Sequence, residues 1–406
     1  MKVLQINSVC KKGSTGKIAY ELYKRGNEAG HEFAVCYGRG KKIEEERVFK
    51  FGLDLETVFH ALMTRLTGYT GCFSPLSTGR LIDYIESFQP DIIHLHEPHA
   101  YFLNLKPFFE YLGEKKIPLV YTFHCEFAYT GKCGYSYDCD RFETGCGSCP
   151  RLAEYPKTAG PDHTASMHKA KKKLLERQNM LIVCPSRWLA ERSKRSFLKG
   201  FDTRVIKNGI DTENTFYPRS KDEYAHLLKL HGIENEKIVL AVAPSFITDK
   251  RKGAEYVLRL ARRMTGQNVR FILIGVDAEI EDKPENVIAL GRTENQQELA
   301  EYYSMADCFV ICSEMENLPT TCLEAVCCGT PVVGFDVGGT AETAPEPIGL
   351  FGPYGDMDAL EKNLLTMLGR SPKQSEFVQF RQEYSSVRMF GEYSKIYKEL
   401  LGGTDK

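Results

Sequence analysis

Residues 308–335 constrain the fold more than any other stretch of this 406-residue chain. A short apolar run, Cys308-Phe309-Val310-Ile311-Cys312, precedes the polar loop Ser313-Glu314-Met315-Glu316-Asn317-Leu318. A second run, Pro331-Val332-Val333-Gly334-Phe335, follows it. Pro319 suits the first turn of a helix, because its ring sets φ and its missing N–H would have no partner there. Gly329 suits the left-handed position that ends one. The stretch therefore predicts strand, loop, helix from about Pro319 to Cys328, and strand, a βαβ unit.

The start of such a helix leaves the N–H groups of Thr320, Thr321 and Cys322 unpaired, and the helix dipole adds about half an elementary positive charge there. This is a seat for an anion. Glu316 just before it and Glu324 within the helix would repel a phosphate, so hydrogen bonding to sugar or ribose hydroxyls is the natural task for them. A plain helix with two solvated glutamates has the same spacing. The rest of the chain has to decide.

The second half of the chain repeats this rhythm. Short apolar runs at Ile238–Ala243, Arg270–Gly275, Asn286–Leu290, Cys308–Cys312 and Pro331–Phe335 alternate with amphipathic stretches, the pattern of a doubly wound parallel sheet. The first half does likewise, with strands expected at Val3–Val9, Phe33–Gly38, Pro90–Pro98, Pro118–Thr122 and Met180–Pro185. Two domains fit the length. A net charge of −1 argues against nucleic acid as a partner. The N-terminus enters a strand directly, and no apolar run approaches the roughly 18 residues that span a bilayer, so a cytoplasmic protein is expected.

The E-x7-E pair Glu316 and Glu324, followed by Ala325, Gly329, Pro331, Val332 and Val333, resembles the signature of the family 4 retaining glycosyltransferases. These enzymes have the GT-B fold, two Rossmann-like α/β domains facing across a cleft, and the resemblance implies an acceptor-side domain over 1–218, a nucleotide-sugar-binding domain over 219–380 and a terminal helix over 381–406 returning to the first. The resemblance implies that Glu316 contacts the donor sugar near its reacting carbon and Glu324 the ribose. The intervening Glu316-Asn317-Leu318-Pro319 departs from the commonest E-G-F-G form and resembles polysaccharide-assembly members. Lys252 before Gly253 resembles the family's donor-diphosphate lysine. The arginine usual some six residues earlier is missing, with Ser245 and Phe246 in its place, and Arg251 is the candidate substitute. Gly291 and Arg292 resemble the turn that cradles the base, and Val337-Gly338-Gly339-Thr340-Ala341-Glu342 resembles the family's closing G-G-x-x-E.

In the first half, Gly13-Ser14-Thr15-Gly16 invites comparison with a phosphate-binding P-loop. Its first glycine is misplaced, and Ile18 stands where Ser or Thr must hold magnesium, so a nucleotide hydrolase is rejected. By resemblance it is the loop facing the cleft, ahead of a helix expected from Ile18 to about Ala29. His96, Glu97 and His99 lie at a strand's carboxyl end, where ligands gather in open α/β sheets. His124 resembles the family's T-x-H histidine, which reaches the donor sugar.

Four of the 14 cysteines form an island within about 125–150: Cys133, Cys139, Cys146 and Cys149. The terminal C-x2-C is a chelating pair, and the segment has few aliphatic residues for a core of its own. A structural zinc, two disulfides and four free thiols remain open, and no catalytic cofactor is expected. A related cysteine-rich insertion marks a subset of family 4 that resembles enzymes of colanic acid and exopolysaccharide assembly.

Three amphipathic stretches are ambiguous. Leu55–Leu66 reads as a core or acceptor-groove helix, with a membrane-touching face as the sharper alternative. His168–Lys173 and Arg187–Lys199 read as solvated basic faces, with docking to an anionic bilayer or lipid diphosphate as the alternative. The resemblance implies a metal-independent retaining hexosyltransferase that moves a sugar from a UDP- or GDP-sugar to a saccharide acceptor, lipid-linked in one version, in bacterial surface polysaccharide assembly. A GT-B sugar-nucleotide epimerase and a non-catalytic nucleotide-sugar-binding protein are the rivals.

Overall fold

The computed structural model describes residues 1–370 and 372–402. The chain forms two compact units, residues 1–207 joined by the chain from Met389, and residues 208–388. The first crossing thus lies upstream of Arg219.

The N-terminal unit is built on seven parallel strands: β1 (Lys2–Asn7), β2 (Glu32–Tyr37), β3 (Val48–Lys50), β4 (Ile92–Leu95), β5 (Leu119–Thr122), β6 (Met180–Cys184) and β7 (Thr203–Val205). Their order is β3-β2-β1-β4-β5-β6-β7. Nearly every residue of the central strands is buried, as expected for a parallel sheet covered on both faces. The edge strands β3 and β7 are three residues each and less apolar, which is why periodicity did not mark them. The terminal helix Ser386–Leu400 sets Met389, Tyr393, Ile396 and Tyr397 into this unit's core beside Val3, Ile18 and Phe33. Tyr397 Oη is 2.7 Å from His94 Nδ1, and Tyr393 Oη is 2.7 Å from Thr122 Oγ1.

The C-terminal unit holds six parallel strands: β8 (Lys237–Val242), β9 (Val269–Ile274), β10 (Val287–Leu290), β11 (Cys308–Ile311), β12 (Val332–Phe335) and β13 (Gly349–Gly352). Their order is β10-β9-β8-β11-β12-β13. The sequence reading missed β13, whose two glycines weaken the strand pattern. The order reverses between β8 and β11, so the loops after those two strands open at the topological switch point, where open α/β sheets bind ligands.

The first helix begins at Gly13, not Ile18, so Gly13-Ser14-Thr15-Gly16 is its opening turn. A Cβ on Gly16 would come 3.0 Å from the Val9 carbonyl oxygen, so glycine is what lets this turn seat on the end of β1. Thr15 Oγ1 accepts from Asn7 Nδ2 at 3.2 Å.

Candidate active site

After β8 the chain makes a single turn, Lys250–Lys252, and enters the next helix through Gly253. Gly253 has φ +71°, and a Cβ there would meet the Cys312 carbonyl oxygen at 2.0 Å. Only glycine lets the turn after β8 lie against the end of β11. The Glu314 amide donates to the Arg251 carbonyl at 2.8 Å, closing the same junction. Lys252 Nζ is thereby brought 2.7 Å from Glu316 Oε1, with both side chains largely buried.

Glu316 is also fixed from the other side. The Gly339 amide donates to the Glu316 carbonyl at 3.0 Å, and a Cβ on Gly338, at φ +60°, would stand 1.9 Å from that oxygen. The closing glycine pair therefore shapes the loop that presents Glu316.

The helix after β11 runs Thr320–Cys327, with Pro319 as its N-cap and Gly329 at φ +85° beyond its end. It starts one residue later than expected. Cys322 N donates to the Pro319 carbonyl at 3.1 Å, so of the three amides expected to be open, those of Thr320 and Thr321 remain. Asn317 and Leu318 are buried and shape the approach to this turn, while Thr320 and Thr321 keep partial exposure. Glu324 is buried in the helix and accepts from Tyr303 Oη at 3.1 Å.

Other sequence candidates fall differently. The guanidinium of Arg251 is gripped by Asp249 at 2.7 and 3.0 Å, as the Lys252 ammonium is by Glu316. Phe246, where the family's arginine was sought, is buried in the apolar core. Gly291 and Arg292 follow β10 and are exposed.

In the N-terminal unit the carboxyl ends of β4 and β5 carry histidines that line up with Gln5 of β1. His96 Nε2 is 2.5 Å from Gln5 Oε1, and His96 Nδ1 is 3.1 Å from His124 Nε2. Burial pushes the His124 imidazole down to about 4 and His96 well below its ordinary range. Both rings are therefore neutral near pH 7. A proton on His96 Nε2 shared with Gln5 leaves His96 Nδ1 to accept from His124 Nε2, which puts the unprotonated nitrogen of His124 at Nδ1. Beside them His99 Nε2 lies 2.7 Å from Glu97 Oε1, and Cys125 Sγ donates to the same oxygen at 3.1 Å. Burial works against the Glu97 charge, yet His99, His124 and the thiol hold its carboxyl below the usual range. Gln5 was missed by the sequence reading, although one polar residue inside the run Val3-Leu4-Gln5-Ile6 was the available signal.

The cysteine island is tied to its domain chiefly by side chains other than cysteine. Glu126, fully buried, pairs with Arg192 at 2.7 Å and accepts from the Ser136 amide at 2.5 Å and from Tyr129 Oη at 3.1 Å. Phe127, Tyr129 and Phe142 sink into the domain core, so the segment does not lack an apolar anchor. Arg195 pairs with Asp140 and Glu143, and His168 Nε2 bonds to the Phe142 carbonyl at 2.8 Å. Arg192, Arg195 and Lys171 thus hold the island, while Lys169, Lys172, Lys173, Arg187, Lys194 and Lys199 remain exposed, a largely solvated basic face.

Cys133, Cys139, Cys146 and Cys149 are partly buried free thiols. Among the described residues, the set of three or more metal-ligand side chains with donor atoms within 4.8 Å of one another is Glu97, His99 and Cys125. The island's thiols suit zinc as a donor type but are not gathered into a tetrahedron. Two buried lysines stand among them, Lys132 on the carbonyls of Leu152 and Glu154, and Lys171 on those of Phe127 and Thr130, the second pushed down to about 7 by burial.

Comparison with known proteins agrees with this arrangement. A family model described as Glycosyltransferase Family 4 matches residues 15–214, and one described as Glycosyl transferases group 1 matches residues 229–383. WcaC of Escherichia coli (strain K12), which carries a provisional name as a colanic acid biosynthesis glycosyl transferase, is 24% identical over 98% of this chain and 100% of its own. Among solved structures, sucrose-phosphate synthase from Thermosynechococcus elongatus superposes with a TM-score of 0.72 at 19% identity, over 99% of both chains. Anabaena Alr3699/HepE in complex with UDP-glucose superposes with a TM-score of 0.66 at 15% identity, over 98% of this chain and 100% of that one. With a family 4 domain ahead of a group 1 domain, each on its own parallel sheet, the chain belongs to the glycosyltransferases of the GT-B fold.

Proposed function

We propose that this glycosyltransferase moves a hexosyl group from a UDP- or GDP-sugar to a saccharide hydroxyl, with retention at the anomeric carbon, in the assembly of a bacterial surface polysaccharide. The observation that carries this is the 2.7 Å pair of Lys252 and Glu316 beside the start of helix Thr320–Cys327. A diphosphate seated there finds an ammonium group, the amides of Thr320 and Thr321 and the positive end of a helix, the charge set a departing pyrophosphate needs. Lys252 then exchanges part of its bond to Glu316 for the phosphate, which releases Glu316 for a sugar hydroxyl. Glu324 is assigned to the ribose, and His124 accepts a sugar hydroxyl at Nδ1.

In the transfer the bond from the anomeric carbon to the diphosphate oxygen breaks, and its electron pair leaves with the diphosphate. The acceptor oxygen bonds to the same carbon on the same face, and its proton passes to the leaving phosphate. No protein base and no divalent metal is assigned a step. The UDP-glucose complex of HepE supports UDP among the donors, and the name of WcaC supports a polysaccharide product. A structural zinc on Cys133, Cys139, Cys146 and Cys149 is proposed from their spacing. About one zinc per chain in the purified protein supports it, and none removes it.

The test is turnover of a panel of UDP- and GDP-sugars with saccharide acceptors, with the product anomer read by NMR. Transfer with retention is expected. Donor altered without acceptor would instead identify an epimerase, and donor bound but never consumed a binding protein.

A further inference from the structure

Helix Asp54–Thr67 is folded inside out. Its buried residues are the polar His60 and Thr64. His60 Nδ1 is 2.6 Å from Ser74 Oγ, and its Nε2 receives the Gly71 amide at 3.1 Å. Thr57 Oγ1 and Thr64 Oγ1 are buried without a hydrogen-bond partner. The outward face carries Leu55, Val58, Phe59, Leu62 and Leu66, and Leu76 stands beside them at the start of the next helix. All six are between 50% and 88% exposed. The spacing of the first five draws one row along the helix. A water-soluble surface helix has these faces the other way round, so the row is built for a partner that is itself apolar.

The charges around the row indicate which partner. Asp54 at one end is paired with Lys50 at 2.8 Å, and Glu56 is used by the amides of Leu76 and Ser77 at 2.9 and 2.7 Å. At the other end Arg65 is exposed, and Arg39 joins it in acting on Tyr101. Lys157 is exposed on the segment whose Ala159 amide donates to the Arg65 carbonyl at 2.8 Å. An apolar row whose acids are engaged by a lysine or by backbone amides and whose end is cationic matches a lipid interface with anionic headgroups.

We infer that helix Asp54–Thr67, with Leu76, is the face by which this protein lies on an anionic bilayer, its long axis in the interface plane. Among the described residues no helix is long and apolar enough to cross a membrane, so the attachment is peripheral. The inference does not depend on the transferase reading, because binding is measured without turnover.

The experiment is flotation of the full chain with phosphatidylcholine vesicles, with and without about 30% phosphatidylglycerol. The wild type is expected to float with the anionic vesicles. The double variant Phe59→Asp/Leu62→Asp should lose at least about tenfold in partitioning, with an unchanged melting temperature because both side chains face solvent. The double variant Arg65→Glu/Lys157→Glu should lose binding to anionic vesicles. Transfer to a short water-soluble acceptor should stay at the wild-type rate in both, which separates this inference from the function proposed above. Wild-type protein that floats with neither vesicle overturns the inference, and so does a Phe59→Asp/Leu62→Asp variant that floats as well as wild type. Sedimentation as a dimer that these aspartates dissociate, without vesicle binding, assigns the row to a second copy of the chain and overturns it too.

Discussion

The strand ends of the two units carry opposite kinds of chemistry. In the C-terminal unit the loops after β8 and β11 bring together a lysine and a glutamate at 2.7 Å beside a helix start. In the N-terminal unit the ends of β4 and β5 carry imidazoles that burial keeps neutral, lined up from Gln5 through His96 to His124. The first set can exchange an internal ion pair for a pyrophosphate. The second offers neutral hydrogen-bonding rings, with the Glu97 carboxylate engaged by His99 beside them. One strand order thus carries two kinds of side-chain chemistry, and the difference lies in which residue types its loops supply.

Removing the charged half should break this division most severely. Glu316→Ala is expected to lower transfer at least about a hundredfold while the folded protein keeps its circular dichroism spectrum, and wild-type turnover would separate Glu316 from the reaction. A smaller effect is expected from the glycine that shapes its loop. Gly338→Ala forces a Cβ against the Glu316 carbonyl and should cost about 1–3 kcal/mol in urea unfolding, with donor binding weakened alongside. An unchanged urea midpoint would mean that the loop is not held there.

The neutral half gives a pH signature. His124 has a folded value of about 4 against 6.5 unperturbed, so the fold favours its uncharged form. Its contribution is present above about pH 6.5 and is lost as pH falls toward 4, on the order of 3 kcal/mol for one buried imidazole. Urea midpoints between pH 7 and pH 4.5 should fall steeply in the wild type and less steeply in His124→Gln. Equal slopes would show that the ring is already charged or already solvated.

Much of this was legible in the sequence. The apolar runs that became β1, β2, β4, β5, β6 and β8–β12 were readable because parallel strands buried on both faces are apolar throughout. The helix start at Thr320 and the Lys252-Gly253 turn were readable because proline and glycine have few other uses at such places. What stayed hidden depended on partners far along the chain. The bond from Gln5 to His96 joins residues 91 apart, and the pairing of Arg192 with Glu126 turned one arginine of a basic stretch inward. Leu55–Leu66 shows the limit most clearly. Its period was read correctly, but periodicity cannot say which side of a helix faces the protein, and here His60 and Thr64 face in.

The central claim is that Lys252 and the neighbouring helix start hold the donor's diphosphate. Calorimetric titration of UDP and GDP into the wild type and into Lys252→Ala tests it most directly. The account predicts that one of the two nucleotides binds the wild type and that its affinity falls at least about tenfold, or 1.4 kcal/mol, in the variant. Equal affinity in the two proteins would place the diphosphate elsewhere and contradict the account.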